Sequence, residues 1–161
     1  MPPSFRIDPA CASDAAAFID LRGRTRENAV SAARLASIGI TEESWAKDIE
    51  SGVLAGFTAT RQGGLVGYCF GDTQTGEVVV LALLPDAEGC GLGRQLLQRV
   101  VQELHSCGHQ NLFLGCSTDP KVRSYGFYRH LGWQPTGAVD SNNDEVLELR
   151  LSSRQHPTGE A

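Results

Sequence analysis

The stretch LLPDAEGCGLGRQLL, residues 83–97, sets three alternate glycines (Gly89, Gly91 and Gly93) between an apolar run and a segment of helical periodicity. Each glycine gives up more backbone freedom on folding than any other residue, so their spacing asks what the chain must do there. Downstream, Leu96, Leu97, Val100, Val101 and Leu104 fall on one face of a helix over RQLLQRVVQELHS. Upstream, GEVVVLALLP, residues 76–85, is apolar and β-branched at its start, the pattern of a central strand covered on both faces. Pro85 ends it, because proline cannot donate to a ladder. A strand, a glycine turn and a helix together make an anion-binding device. The first N–H groups of the helix lack internal partners, its dipole is positive there, and glycine lets a phosphate approach the backbone.

Working outward, VLAGFTAT (53–60) and LVGYCFGD (65–72) read as strands of a hairpin turned at RQGG. NLFLGCS (111–117) reads as a further strand, and the long helix before it predicts that it runs parallel to the strand at 77–84. A short helix near 121–131 stops at Gly132, and a hairpin around SNND closes the pattern. Towards the start lie a short strand at 4–8, a helix from its cap Ser13 to Leu21, a polar turn leading into a second helix within 23–37, and a third, TEESWAKDIES, capped by Thr41 and stopped by Gly52. The reading is one domain over residues 1–152 followed by a polar tail at 153–161.

Fourteen Lys and Arg stand against nineteen acids, a net charge of −5, which argues against a nucleic-acid surface and for a cationic or neutral small partner. The start, MPPSFRIDPA, lacks the basic and apolar regions of a signal peptide, and no apolar run approaches membrane-spanning length. The expectation is a cytoplasmic protein without a membrane partner. Five widely spaced cysteines without a C-x-x-C pair point to neither a disulfide framework nor a zinc site, and no metal is expected. Cys90 lies in the glycine loop, where a thiol pKa can fall, but none of His105, His109, His130 or His156 is placed by sequence to serve it as a base.

Three anion-binding readings are then open. A P-loop needs Lys and then Ser or Thr after its last glycine, and here Arg94 and Gln95 follow Gly93. A dinucleotide fingerprint needs G-x-G-x-x-G, usually in the first βα unit, whereas this loop is G-x-G-x-G and lies mid-chain. The third fits: an apolar strand, a proline and then Glu88, Gly91 and Gly93 opening a helix resemble the acetyl-CoA signature of the GNAT superfamily of N-acetyltransferases, Q/R-x-x-G-x-G/A, with Glu88 in place of the usual Gln or Arg. YGFYRHLGW, residues 125–133, resembles the family's downstream FYxxxGF/W segment, in which Lys121 or Asp119 stands for the Asn that often begins it.

The resemblance implies a mixed α/β (α+β) fold: a mostly antiparallel sheet of about six to seven strands with a central parallel pair, flanked by four to five helices. It implies acetyl-CoA as co-substrate and direct attack by an amine, without a metal. In the family the signature strand splays from its parallel neighbour, so main-chain groups at Leu81, Ala82 and Leu83 are expected to meet the pantetheine arm. Glu88, Gly89, Cys90, Gly91, Leu92, Gly93 and Arg94 are expected at the pyrophosphate, with Asp119 and Lys121 as further cofactor contacts. Tyr128 falls at the position of the tyrosine that faces the sulfur. Glu77, at the start of the signature strand, is the candidate general base, with Asp72 and Glu27 as alternatives. Arg24, Arg26, Glu27, Trp45, Tyr68 and Asp72 are candidates for the acceptor side. A non-catalytic acyl-CoA sensor would share the loop, a nucleotide-binding oxidoreductase would bind NAD instead, and a homodimer is compatible with the sequence.

Overall fold

The strands expected between residues 53 and 84 form a meander. In the computed structural model, which describes residues 4–26 and 29–151, β2 (Leu54–Arg61), β3 (Gly64–Asp72) and β4 (Val78–Leu83) pair antiparallel in succession. Gln62 and Gly63 turn the first hairpin with φ of 54° and 81°, the left-handed values that a two-residue hairpin turn requires. β1 (Arg6–Pro9) pairs with the outer edge of β2, giving the order β1-β2-β3-β4. A second sheet, ordered β5-β7-β6, is built from β5 (Asn111–Cys116), β6 (Gln134–Val139) and β7 (Glu145–Arg150), again all antiparallel.

The expected central parallel pair is not a ladder. A single parallel bridge, Glu77 to Phe113, joins the two sheets, after which β4 and β5 share no register. β4 is therefore an edge strand and not the fully covered one that its composition suggested, and Val79 is 45% exposed. Its apolar residues face a cleft on their outer edge; apolar composition reports distance from water, whichever neighbour provides it.

Helix α4 (Leu92–Ser106) crosses one face of the first sheet with Leu92, Leu96, Leu97, Val100 and Leu104 buried, the face that the periodicity picks out. On the opposite face, α1 (Ala15–Arg22), α2 (Ala32–Ser37) and α3 (Glu42–Glu50) cover an aromatic core of Phe18, Trp45, Tyr68 and Phe70. Thr41 and Ser44 cap α3 reciprocally, each side chain accepting from the other's backbone N–H. Two early boundaries differ from expectation. Ser13 lies in a 3₁₀ turn, so α1 begins after Asp14, and α2 is confined to Ala32–Ser37 because Ser31 accepts from the Arg34 N–H and starts the helix there. α5 (Arg123–His130) follows β5 and ends at Gly132, whose φ is 100°. Among the described residues no helix is long and apolar enough to cross a membrane.

Two glycines of these elements carry opposite expectations. Gly56 pairs with Phe70, whose ring lies over it, and an added Cβ would overlap that ring and stand 2.7 Å from the Cys69 carbonyl. Gly126, within α5, has open space around it and an ordinary φ. Gly56→Ala is expected to destabilise by about 1–3 kcal/mol through overpacking, and Gly126→Ala to stabilise by about 0.5–1 kcal/mol through helix propensity, both read by urea denaturation.

Candidate functional site

Beyond the Glu77–Phe113 bridge the edges of β4 and β5 diverge, and a cleft of about 690 Å³ opens between them. The Leu84 N–H donates to the Val66 carbonyl across the β3 side. By the alternation of an antiparallel ladder, the main-chain groups of Ala82 also face β3, and those of Leu81 and Leu83 face the cleft. Ala82 thus spends its backbone on the sheet, and its side chain is buried in the aromatic core. Leu81 and Leu83 offer a row of unpaired donors and acceptors along one wall.

This edge runs into the glycine loop. Gly89 and Gly91 have φ of 81° and 83°, and a Cβ on either would point into open space. Only glycine takes these left-handed values without strain, which accounts for two of the three. Gly93 is buried in the first turn of α4, where a Cβ would meet Leu83 at 3.4 Å and Phe127 at 3.6 Å, ordinary contact distances. No side chain caps α4, and the Gln95 N–H donates to the Gly91 carbonyl. The N–H groups of Leu92, Gly93 and Arg94 are left for an external acceptor, with the positive end of the helix dipole behind them.

At the loop's shoulder, the Glu88 side chain is only 16% exposed and meets two cations: Arg26 Nε at 3.0 Å and Arg123 Nε at 4.0 Å. Arg94 is exposed on the first turn of α4 and lines the cleft. Asp119 and Lys121 do not line it. The Asp119 carboxylate accepts from the Lys121 N–H and the Asp119 N–H donates to Ser117 Oγ, so this pair builds a turn. The Cys90 thiol donates to the Ala87 carbonyl.

The deep wall carries Tyr128, Cys116 and Ser124. Tyr128 is buried against Phe127 and Trp133, and burial, reinforced by the neighbouring Cys69 and Cys116, pushes its hydroxyl well above the ordinary tyrosine range. It stays protonated at neutral pH. Glu77 sits where the two sheets meet. Burial, then the charges of Asp72 and Asp140, raise its carboxyl above the usual range. Asp144, which lines the cleft, is raised by burial and then by Asp140. Asp72 itself accepts from the Gln74 and Thr75 N–H groups and caps the β3–β4 turn.

The acceptor-side candidates separate. Arg26 lines the cleft, whereas Arg24 pairs with Asp20 at 2.8 Å on the surface of α1. Trp45 and Tyr68 belong to the aromatic core, where the Tyr68 hydroxyl donates to the Phe18 carbonyl, so neither lines the cleft. They were singled out as large aromatics near the right strands, which core packing explains as well. Glu27 lies outside the described residues. Arg123, Cys116, Ser124 and Asp144 line the cleft without having been singled out; Arg123 stands two residues before the YGFY segment, and the others carried no sequence signal.

Residues 17–133 match the Acetyltransferase (GNAT) family. The chain belongs to that family. Its fold is similar to the PaiA N-acetyltransferase from Thermoplasma acidophilum, solved in complex with coenzyme A (18% identity over 91% of this chain and 99% of that one, TM-score 0.75). It is likewise similar to YncA from Salmonella typhimurium, solved with its cofactor acetyl-CoA (18%, 92% and 95%, TM-score 0.71), and to the ribosomal-protein-S18-alanine N-acetyltransferase from Escherichia coli (19%, 92% and 95%, TM-score 0.66). No curated protein matches at the level of sequence. At these identities the structural likenesses speak to the fold.

The raised Glu77 carboxyl has a consequence for stability. A carboxyl whose pKa is higher folded than unfolded favours folding while protonated, and that contribution is lost as pH rises through the folded value. Glu77→Gln, which keeps the shape without the charge, is expected to melt above the wild type at pH 7. The gap should close as pH falls below the carboxylate range, which thermal melts across pH 3–8 would measure.

Proposed function

We propose that this GNAT-family chain transfers an acetyl group from acetyl-CoA to a primary amine of a small molecule or peptide, by direct attack in a ternary complex. The observation that carries the reading is the free edge of β4 running without interruption into the uncapped, glycine-walled start of α4. An extended amide-bearing arm suits the first and a diphosphate suits the second. The residues fit such a co-substrate: Leu81 and Leu83 offer main-chain hydrogen bonds, the Gly89 to Arg94 amides offer an anion cradle, and nothing fills the space over Gly89 and Gly91.

Acetyl-CoA supplies an activated acyl carbon. The amine nitrogen forms a bond to that carbon, the carbon–sulfur bond breaks, and the protein must take one proton from nitrogen and give one to sulfur. Tyr128 is assigned the second task, since it lines the deep wall of the cleft with its hydroxyl protonated. Glu77 is assigned the first, directly or through water, because its raised carboxyl is a stronger base than an ordinary glutamate. An N–H on the free edge of β4 can donate to the carbonyl oxygen as it gains negative charge. Holding both reactants in one cleft can supply roughly 7–11 kcal/mol of the barrier reduction. A non-catalytic acyl-CoA sensor would share the anion cradle and lack working acid–base groups.

Thiol release measured with a panel of amines tests the assignment. Tyr128→Phe is expected to lower kcat about 100-fold with little change in KM for acetyl-CoA, the size of a general-acid contribution. Glu77→Gln should lower kcat/KM and remove the ionisation limb that lies above the ordinary carboxylate range. Full activity in both variants would remove these two roles. Tight acetyl-CoA binding in calorimetry with no turnover of any amine would favour the sensor.

A further inference from the structure

Glu88 occupies a position where the resemblance expects Gln or Arg, and an acid there repels a diphosphate. The structure surrounds it with more positive charge than it carries. Arg26 arrives from the segment after α1, 62 residues away in sequence, and Arg123 is the first residue of α5. All three side chains belong to the lining of the cleft, at the end where the α4 amides stand open. The carboxylate therefore ties the two walls together across the mouth. Both guanidiniums remain more than half exposed, at 57% and 59%, so each can turn to another oxygen acceptor without leaving its place.

We propose that Glu88 is an internal counter-anion that parks Arg26 and Arg123 beside the glycine loop, and that an incoming nucleotide diphosphate displaces it by drawing both guanidiniums onto phosphate oxygens. The inference rests on the reading of this cleft as the CoA site. A guanidinium presents the same forked donors to carboxylate and phosphate. An ion pair as exposed as these is weak, whereas a diphosphate brings more negative charge and meets the helix amides at the same time. The exchange therefore runs towards the ligand. The one negative charge of Glu88 keeps two cations from separating in the empty protein and competes with the ligand once it arrives. Arg26 and Arg123 are binding residues for the diphosphate; Glu88 sets how tightly they hold it.

Isothermal titration calorimetry with CoA, pantetheine and inorganic pyrophosphate separates the possibilities. Glu88→Gln is expected to tighten CoA and pyrophosphate about 3–10-fold, the scale on which a weak exposed ion pair competes, and to leave pantetheine unchanged because it lacks the diphosphate. Arg26→Ala and Arg123→Ala should each weaken CoA about tenfold and reduce the salt dependence of binding. The clasp is overturned if Glu88→Gln binds CoA as the wild type does or more weakly, or if neither arginine variant loses affinity. Should pyrophosphate tighten in Glu88→Gln while no variant binds CoA, the clasp stands and the acetyl-CoA reading falls. Should CoA bind all four proteins equally, that reading stands and the clasp falls. Melting curves of each variant establish that it is folded before titration.

Discussion

The arrangement depends on a sheet that stops being one. β4 pairs with β3 along one edge and with β5 through one bridge only, so a strand inside the molecule keeps main-chain donors and acceptors that a continuous sheet would consume. Buried backbone groups without partners are costly, and an open edge invites pairing with another chain. Here the opening is held by its surroundings. Asp140 caps the β6–β7 turn by accepting from the Asn142 and Asp144 N–H groups, and its other oxygen lies 2.5 Å from where a Cβ on Gly115 would stand. That turn therefore lies directly over β5, and it brings Asp140 near Glu77. The geometry that opens the cleft and the electrostatics at its closed end have a common origin.

From Val78 to Leu83 is about 16 Å of strand, at roughly 3.3 Å per residue. One end of that path meets Glu77, Asp140 and Asp144; the other meets the α4 amides with Arg94, Arg26 and Arg123. Charges separated by more than the 8–10 Å screening length act almost independently in physiological salt, so the cleft can attract an anion at its mouth and a cation at its apex without one cancelling the other. Tyr128 on the deep wall and Glu77 at the acidic end are both pushed by burial towards their protonated forms. In the glutamate this raises the cost of carrying the charge within the fold.

Much of this was legible from the chain. The amphipathic repeat of α4, the Gln62–Gly63 turn, the Thr41 cap and the Gly52 and Gly132 stops are local signals, each set by residues within a few positions. The glycine loop was legible for the same reason. Failures came where neighbours distant in sequence decide. A run such as VVVLAL looks the same whether a second sheet or a cleft lies beside it, which is why β4 was expected to be central. Trp45 and Tyr68 are aromatic side chains near the right strands, and only the positions of Phe18 and Phe70 show that all four form one core. The cleft residues Cys116, Ser124 and Asp144 come from three separate segments with no pattern linking them.

Glu88 shows most clearly where motif reading ends. Judged alone it subtracts one negative charge's worth of affinity from an anion site. Judged with Arg26 and Arg123 it is one carboxylate approached by two guanidiniums. The charge that a ligand meets is set by every side chain the fold brings to the mouth, and those side chains sit on segments distant from the loop in sequence. A substitution inside a signature is therefore not a measure of lost function until its three-dimensional partners are known. On the clasp proposed above, they turn an apparent defect into a means of holding two flexible cations in place before the ligand arrives.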